Sequence, residues 1–448
     1  FRRSDAFALK LDSDGDLKWS KQWGGAGLDQ VNDLAVDSQG NLNIVGWVAG
    51  KAEIDPNDTT EQTGKNGSGL RAFLLQLDTE GKTNFVTDWG GSGISKAWGV
   101  AIQSDGTIVT IAEFSEEQIE LPPKKSGEAV TTNTPPSGTT VGLLHAVDGA
   151  GDTRWIKEFE STISISPKAE IALDREDNIF VGGVVHQNQG SGNLIDDTLL
   201  QKMYNSANNQ KLDGFLLKTD QEGQGEWAYQ WGNDRAETHV FKVATSLDGM
   251  VTAVGRFGVI PLELGDGLKI SDESKLPKET PFIFRLTGSG ELKHYEYLTS
   301  KGRFQASDVA VDILGNLYVS GYWQKNADFD PSAEEADVEQ VPAVKNALKG
   351  YLARYTPNIE LDSSNWLDDS TVPDNWSLVN GPTSNEELIW ANAEVVLKEP
   401  LCPGGRWEFD RPTDLSVRNY VVAESKLASS PDTLGEFIAD HFNDGQSS

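Results

Sequence analysis

One recurrence constrains this chain more than any other feature. DAFALKLDSDG at residues 5–15 returns as RAFLLQLDTEG at 71–81, VGLLHAVDGAG at 141–151 and DGFLLKTDQEG at 213–223, and more weakly as PFIFRLTGSG from 281 and GYLARYTPN from 350. Taking one position as reference gives Phe7, Phe73, Leu143, Phe215, Phe282 and Tyr351, spaced by 66, 70, 72, 67 and 69 residues. A period this regular means one structural unit used repeatedly, which is how a chain of 448 residues can grow a core unit by unit.

About thirty residues after each opening block comes a second one. It reads VNDLAVDSQGNLNIVGW at 31–47, VAIQSDGTIVTIAEF at 100–114, AEIALDREDNIFVGGVV at 169–185, VFKVATSLDGMVTAVGRF at 240–257 and ASDVAVDILGNLYVSGYW at 306–323. Each copy has two short runs rich in Val, Ile, Leu and aromatics around a turn of the D-x-x-G kind, the pattern of a tight antiparallel hairpin. The opening block has the same form, and Trp19, Phe85, Trp155 and Trp227 all stand twelve residues after its reference position. Each unit is therefore two hairpins, or four strands, with no helical periodicity between them.

Four-stranded sheets that bury their faces only against the next sheet stack radially, so an all-β fold of the β-propeller kind is expected. Such a unit needs about 45 residues, and the surplus lies at one place in every repeat. Segments 49–70, 115–140, 186–212, 258–280 and 324–349 are polar and rich in Gly, Pro, Asn and Ser, which puts a recurring insertion on one face, where binding surfaces often lie.

The blocks VAVDILGNLYVSGYW and DAFALKLD resemble the bacterial SBBP-type β-propeller repeats, whose units carry G-I-A-V-D-x-x-G-N-x-Y-V-T-G-Y and then D-A-F-V-A-K-L. The likeness covers residues 1–356. It implies an extracellular or surface-exposed propeller, usually one module of a larger protein; it does not imply a catalytic activity or a known ligand. Cutting the blades with A-V-D innermost makes the W-x-x-x-W-G-G run outermost. Five full blades then begin near residues 31, 97, 168, 240 and 305, and residues 5–25 are left as a half blade. Six blades are preferred, the half blade being closed by ELIWANAEVVLKEP at 387–400; five or seven stay open. The propeller is assigned to residues 1–360. Residues 361–448 are assigned to ring-closing strands or a small β-rich second domain with a disordered tail, and the stretch 365–400 weakly resembles the start of adhesin-like β-solenoid modules.

The net charge of −31 argues against nucleic acid and against anionic membranes. No apolar run approaches a membrane span, and the single cysteine, Cys402, leaves no internal disulfide framework. Asp12, Asp14 and Asp16 resemble a calcium loop, since hard cations collect carboxylates at alternate positions. Only the first Asp and the Gly recur in the other repeats, however, which favours turn chemistry. The acidic insertions around Asp55, Asp328 and Asp330 read either as divalent-ion loops or as turns begun by Asp-Pro. Asn57, Asn66 and Asn375 fit the glycosylation triplet, relevant only in a eukaryotic secretory pathway.

L-x-L-D-x-x-G-x-x-x-W also resembles the tryptophan-docking motif of quinoprotein dehydrogenases. Those enzymes, by resemblance, have eight blades and often a vicinal cysteine pair, which one cysteine cannot supply. Shared blade packing explains the likeness better. The expected function is a non-catalytic extracellular or cell-surface module, structural and protein- or glycan-binding, within a filament, surface layer or adhesin. Its partners would be other copies, other surface proteins or glycans, with Ca2+ as the one cofactor considered. The aromatics that end the second strands, Trp47, Phe114, Phe257, Tyr322 and Trp323, are the candidate binding residues, with interblade packing as their other role. The alternative is an extracellular propeller hydrolase or lyase acting on polysaccharide.

Overall fold

The hairpins begin with turn chemistry. In each D-x-x-G turn the Asp carboxylate accepts from the backbone N–H groups two and four residues on. Asp37 holds Gln39 and Asn41 at 2.9 and 2.8 Å, Asp78 holds Glu80 and Lys82 at 3.0 and 2.8 Å, and Asp220 holds Glu222 and Gln224 at 2.9 and 2.8 Å. The Gly takes positive φ, as at Gly81 and Gly223. Blade III departs from this pattern: Asp177 holds that conformation at φ 62°. Its carboxylate faces the preceding blade, accepting from the Ser104 N–H at 3.0 Å and from the Ser104 hydroxyl at 2.5 Å.

The computed structural model describes residues 4–355 except 58–68, 187–192, 203–211, 271–278, 329–348 and several shorter stretches; beyond 355 it describes only strands 376–379, 388–391, 394–397 and 406–409. The described residues form a β-propeller array with no helix. Blade I orders Asp29–Val36, Leu42–Ala49, Leu70–Leu77 and Thr83–Gly90 as an antiparallel meander. Blade II repeats it with Ile94–Ile102, Ile108–Ser115, Thr140–Val147 and Thr153–Glu158. Blade III uses Ile171–Leu173, Ile179–His186, Leu212–Thr219 and Gly225–Trp231. Blade IV uses Thr238–Thr245, Met250–Phe257, Thr280–Thr287 and Leu292–Tyr297. Phe304–Val311 and Leu317–Trp323 open blade V. At the other end, Ala6–Leu11 pairs with Leu17–Gly25 as the expected half blade.

First strands of consecutive blades lie side by side. The Asn32 amide donates to the Ala97 carbonyl at 2.7 Å, Asp33 accepts from the Val100 N–H at 2.8 Å, and the Thr245 hydroxyl donates to the Leu173 carbonyl at 2.5 Å. The A-V-D runs thus converge on one side of the array and the tryptophan runs diverge on the other, as in a propeller. The third strands of blades I to IV bury every residue but one. Apolar clusters between sheets join half blade to blade I, I to II, II to III and III to IV.

The aromatics at the twelfth position latch each blade to the next. Trp19 lies over Gly81, Phe85 over Gly151, Trp155 over Gly223 and Trp227 over Gly290, each against the glycine of the following blade's outer turn. Two of these indoles also donate to that turn: Trp19 Nε1 to the Thr79 carbonyl and Trp227 Nε1 to the Gly288 carbonyl, both at 3.1 Å. A large aromatic here fills the gap that twisted sheets leave between their outer edges.

The insertions are not simply solvated loops: Ala52–Glu53 pairs with Gly24 and Gly25, and Thr198–Lys202 adds parallel to Gly225–Trp231. Ile54, Ile119, Leu121 and Val130 from these segments are buried in the interblade clusters, because a sheet edge offers unpaired N–H and C=O groups that an adjoining insertion can satisfy. Within residues 387–400, Leu388–Ala391 pairs antiparallel with Glu394–Leu397. The chain divides into two compact units, residues 1–310 with 319–350, and residues 311–318 with 351–448. Within the second unit Trp376–Val379 pairs with Arg406–Phe409.

Candidate binding site at the insert-bearing end of the blades

Strand periodicity decides which aromatics are available. Taking Gly46, Ala112, Gly255 and Gly321 as equivalent, the next residue on the second strand is Trp47, Glu113, Arg256 and Tyr322, and the one after is Val48, Phe114, Phe257 and Trp323. Successive side chains point to opposite faces of a sheet, so the five candidates separate. Phe114, Phe257 and Trp323 are buried, Phe114 and Phe257 inside the interblade clusters, and the reading of these three as exposed binding residues is corrected to packing. Trp47 and Tyr322 lie on the other face, partly exposed.

Around these two the fold assembles residues that the sequence did not single out. The hairpin register sets Gln30 opposite Trp47, Lys96 opposite Glu113 and His239 opposite Arg256. In blade V the Tyr322 hydroxyl donates to Gln305 Oε1 at 2.8 Å. Each first strand in blades I, II and IV then has a β-bulge, leaving Asn32, Trp98 and Phe241 as the extra residues. A bulge re-aims side chains near a functional edge, and here it sets an extra group beside each cross-strand pair. Gln30 donates to Asn32 Oδ1 at 2.8 Å. Lys96 Nζ sits 5.6 Å from the ring centres of both Trp47 and Trp98, and 3.9 Å from Glu113. His239 stacks on Phe241 at 5.5 Å, Arg256 lies 5.9 Å over the same ring, and Arg256 also pairs with Glu279 at 2.5 Å.

The outcome is a row of rings flanked by amide, ammonium, guanidinium and carboxylate groups, at the strand ends that lead to and from the insertions. Ring faces bind apolar sugar faces or cations, and the polar partners supply directional hydrogen bonds. The bulges carried no sequence signal, because an extra residue keeps the apolar pattern while shifting its register. The Gly-Trp and Gly-Tyr pairs at 46–47 and 321–322, against Ala-x-Phe at 112–114, were the available clue.

The acidic candidates take other roles. Asp12 accepts from the Asp14 and Asp16 N–H groups at 3.0 and 2.9 Å and pairs with Lys18 at 2.7 Å. The Lys18 hydrogen bond and those backbone donors hold its carboxyl down to about 2. Asp14 and Asp16 are exposed. Asp55 accepts from the Asn57 N–H at 2.8 Å and from the Thr83 hydroxyl at 2.5 Å. Among the described residues no three metal-ligating side chains converge. Asp12 thus does the turn chemistry that the recurring Asp and Gly favour, through backbone N–H groups and Lys18. Asp328 falls in a two-residue strand paired with Thr299 and Ser300, and Asp330, Asn66 and Asn375 lie outside the described residues. Asn57 donates to the Gly81 carbonyl at 3.1 Å and to the Thr83 hydroxyl at 2.8 Å.

The fold and this site define a β-propeller module with an aromatic-polar row at its insert-bearing end. No family model matches the chain. Among known sequences, the uncharacterised WD repeat-containing protein L264 of Acanthamoeba polyphaga mimivirus is 26% identical over 118 residues, which are 26% of this chain and 8% of that protein's length. Among solved structures, the gluconolactonase XC5397 of Xanthomonas campestris is similar at 13% identity, covering 70% of this chain and 75% of that one, with a TM-score of 0.33. The polysaccharide lyase Uly1 is similar at 11% identity, 73% and 82% coverage and a TM-score of 0.31. Likenesses this distant carry no argument about activity. No helix among the described residues is long and apolar enough to cross a membrane, which leaves β-barrels unaddressed.

Proposed function

We propose that this chain is a non-catalytic extracellular or cell-surface β-propeller, a structural module that binds glycans or proteins through its insert-bearing end. One observation supports this reading: Trp47 and Tyr322 stand at equivalent positions of different blades, each partly exposed and each beside polar groups from its blade's first strand. A core needs no such exposed rings, and a repeated surface ring suits a ligand with repeated units.

Titrating the chain with a panel of soluble polysaccharides, followed by tryptophan fluorescence and calorimetry, tests the reading. Saturable binding that Trp47→Ala and Tyr322→Ala each weaken about tenfold or more, with the polymer left intact, is the expected result. Binding indifferent to both substitutions, or depolymerisation of the glycan, would overturn it.

A further inference from the structure

The charges beside the rings cancel. At the junction of blades I and II, Lys96 Nζ lies 5.6 Å from the ring centres of both Trp47 and Trp98 and has Glu113 Oε1 3.9 Å away. In blade IV, Arg256 lies over Phe241 with Glu279 at 2.5 Å. His239 stacks on the same ring and has Glu237 at 3.3 Å. The sets in blades I and V hold no charge at all. Gln30 donates to Asn32 Oδ1 at 2.8 Å, and Gln305 accepts from the Tyr322 hydroxyl at 2.8 Å and donates to Ser307 Oγ at 3.4 Å.

Each basic group in the row thus has its own carboxylate no more than 3.9 Å away, and three basic groups face three carboxylates. The chain as a whole has 38 basic and 69 acidic residues, so this balance departs from its average. The pairs also differ in how far they reach solvent. The Arg256 and Glu279 side chains are 22% and 34% exposed, whereas Glu113 is 7% exposed beneath the 24% exposed Lys96.

We propose that the row takes an uncharged, polyhydroxylated glycan rather than an acidic one, a choice that rests on the glycan-binding reading above and narrows it. A hydroxyl both donates and accepts. Two neighbouring sugar hydroxyls therefore suit the Arg256–Glu279 pair, one accepting from the guanidinium and the other donating to the carboxylate. Over Trp47 and Trp98 the apolar face of a sugar covers ring surface, and one hydroxyl accepts from Lys96 Nζ, whose charge Glu113 already balances. A uronate or sulfate oxygen would gain Lys96 or Arg256 only by coming against Glu113 or Glu279, and like charges set together reject a ligand. At longer range the net charge of −31 also repels a polyanion.

Calorimetric titration of the full chain is the test. The probes are a soluble uncharged glucan, an uncharged galactomannan and polygalacturonate, each in about 20 mM and about 500 mM sodium chloride. Saturable binding of an uncharged polymer is expected, with dissociation constants within about twofold of each other at the two salt levels and weakened about tenfold or more by Trp47→Ala. Polygalacturonate should bind at least about tenfold more weakly at the lower salt. Glu113→Gln keeps the side-chain shape and leaves Lys96 unbalanced. It should raise polygalacturonate affinity about tenfold at low salt, with the gain lost at high salt and the circular dichroism spectrum unchanged.

Polygalacturonate binding the unaltered chain more tightly than both uncharged polymers overturns the inference, as does failure of both uncharged polymers to bind. A Glu113→Gln chain with unchanged polygalacturonate affinity overturns it equally. The reading underneath fails separately: acidic-glycan binding that Trp47→Ala abolishes leaves the row a glycan site, whereas no binding through Trp47 or Tyr322 by any probe removes both.

Discussion

Substituting the turn glycines one at a time separates backbone conformation from the interblade latch. Gly223 and Gly249 have nearly identical φ, +78° and +79°. An added Cβ at Gly249 meets nothing within 4 Å, whereas at Gly223 it would stand 2.8 Å from Trp155 Cζ3 and 2.9 Å from Lys157 Cγ. Left-handed backbone costs an L-residue about 1–2 kcal/mol, and the lower entropy of unfolded Ala offsets about 0.4–1 kcal/mol of that. Gly249→Ala should therefore cost about 0.5–1 kcal/mol. Gly223→Ala carries the same backbone term plus the displacement of an indole wedged between blades, about 1–3 kcal/mol more. Urea unfolding followed by fluorescence reads the difference as a midpoint shift at unchanged slope. In a Trp155→Leu background the extra cost of Gly223→Ala should shrink to what shifting the flexible Lys157 side chain adds, since the shorter side chain removes the indole contacts. Equal losses at the two glycines, or an excess undiminished by Trp155→Leu, would refute the latch.

Three further outcomes follow from the same geometry. Phe114→Ala, Phe257→Ala and Trp323→Ala should each cost about 3–5 kcal/mol of stability, while Trp47→Ala and Tyr322→Ala stay within about 1 kcal/mol; thermal melts of the five variants read this directly. Asp12→Ala should lower the melting temperature by the same amount in calcium and in chelator, because Asp12 holds a turn and Lys18 rather than a metal. His145 is buried edge-on against Trp89, and burial pushes its imidazole down to about 3. Thr153 donates its hydroxyl to the Pro122 carbonyl at 2.5 Å, so the 2.9 Å contact has His145 Nε2–H donating to Thr153. The unfolded chain takes up a proton near pH 6.5 that the fold refuses. Stability is thus lost as pH falls from about 6.5 towards about 3, by about 1.4 kcal/mol per unit, and His145→Gln should flatten that dependence by one proton.

Much of this was legible in the sequence. The D-x-x-G turns and the alternating apolar runs marked the hairpins, and the twelve-residue offset of Trp19, Trp155 and Trp227 marked an interblade role. The candidate site was half legible. Trp47 and Tyr322 could be named, but so could Phe114, Phe257 and Trp323, which the pleat turns to the opposite face. Lys96, Trp98, Phe241 and Arg256 went unnoticed, because a bulge and a cross-strand partner are properties of pairing rather than of order along the chain.

By itself, then, the sequence determined that this protein is an array of four-stranded units with one insertion each, since period, turn residues and side-chain alternation are local and recur. Only the tertiary structure decided which rings are core and which are surface. It alone showed that the insertions join sheet edges. These depend on which strand lies beside which, and that is set by contacts between segments some 70 residues apart, which no local pattern encodes.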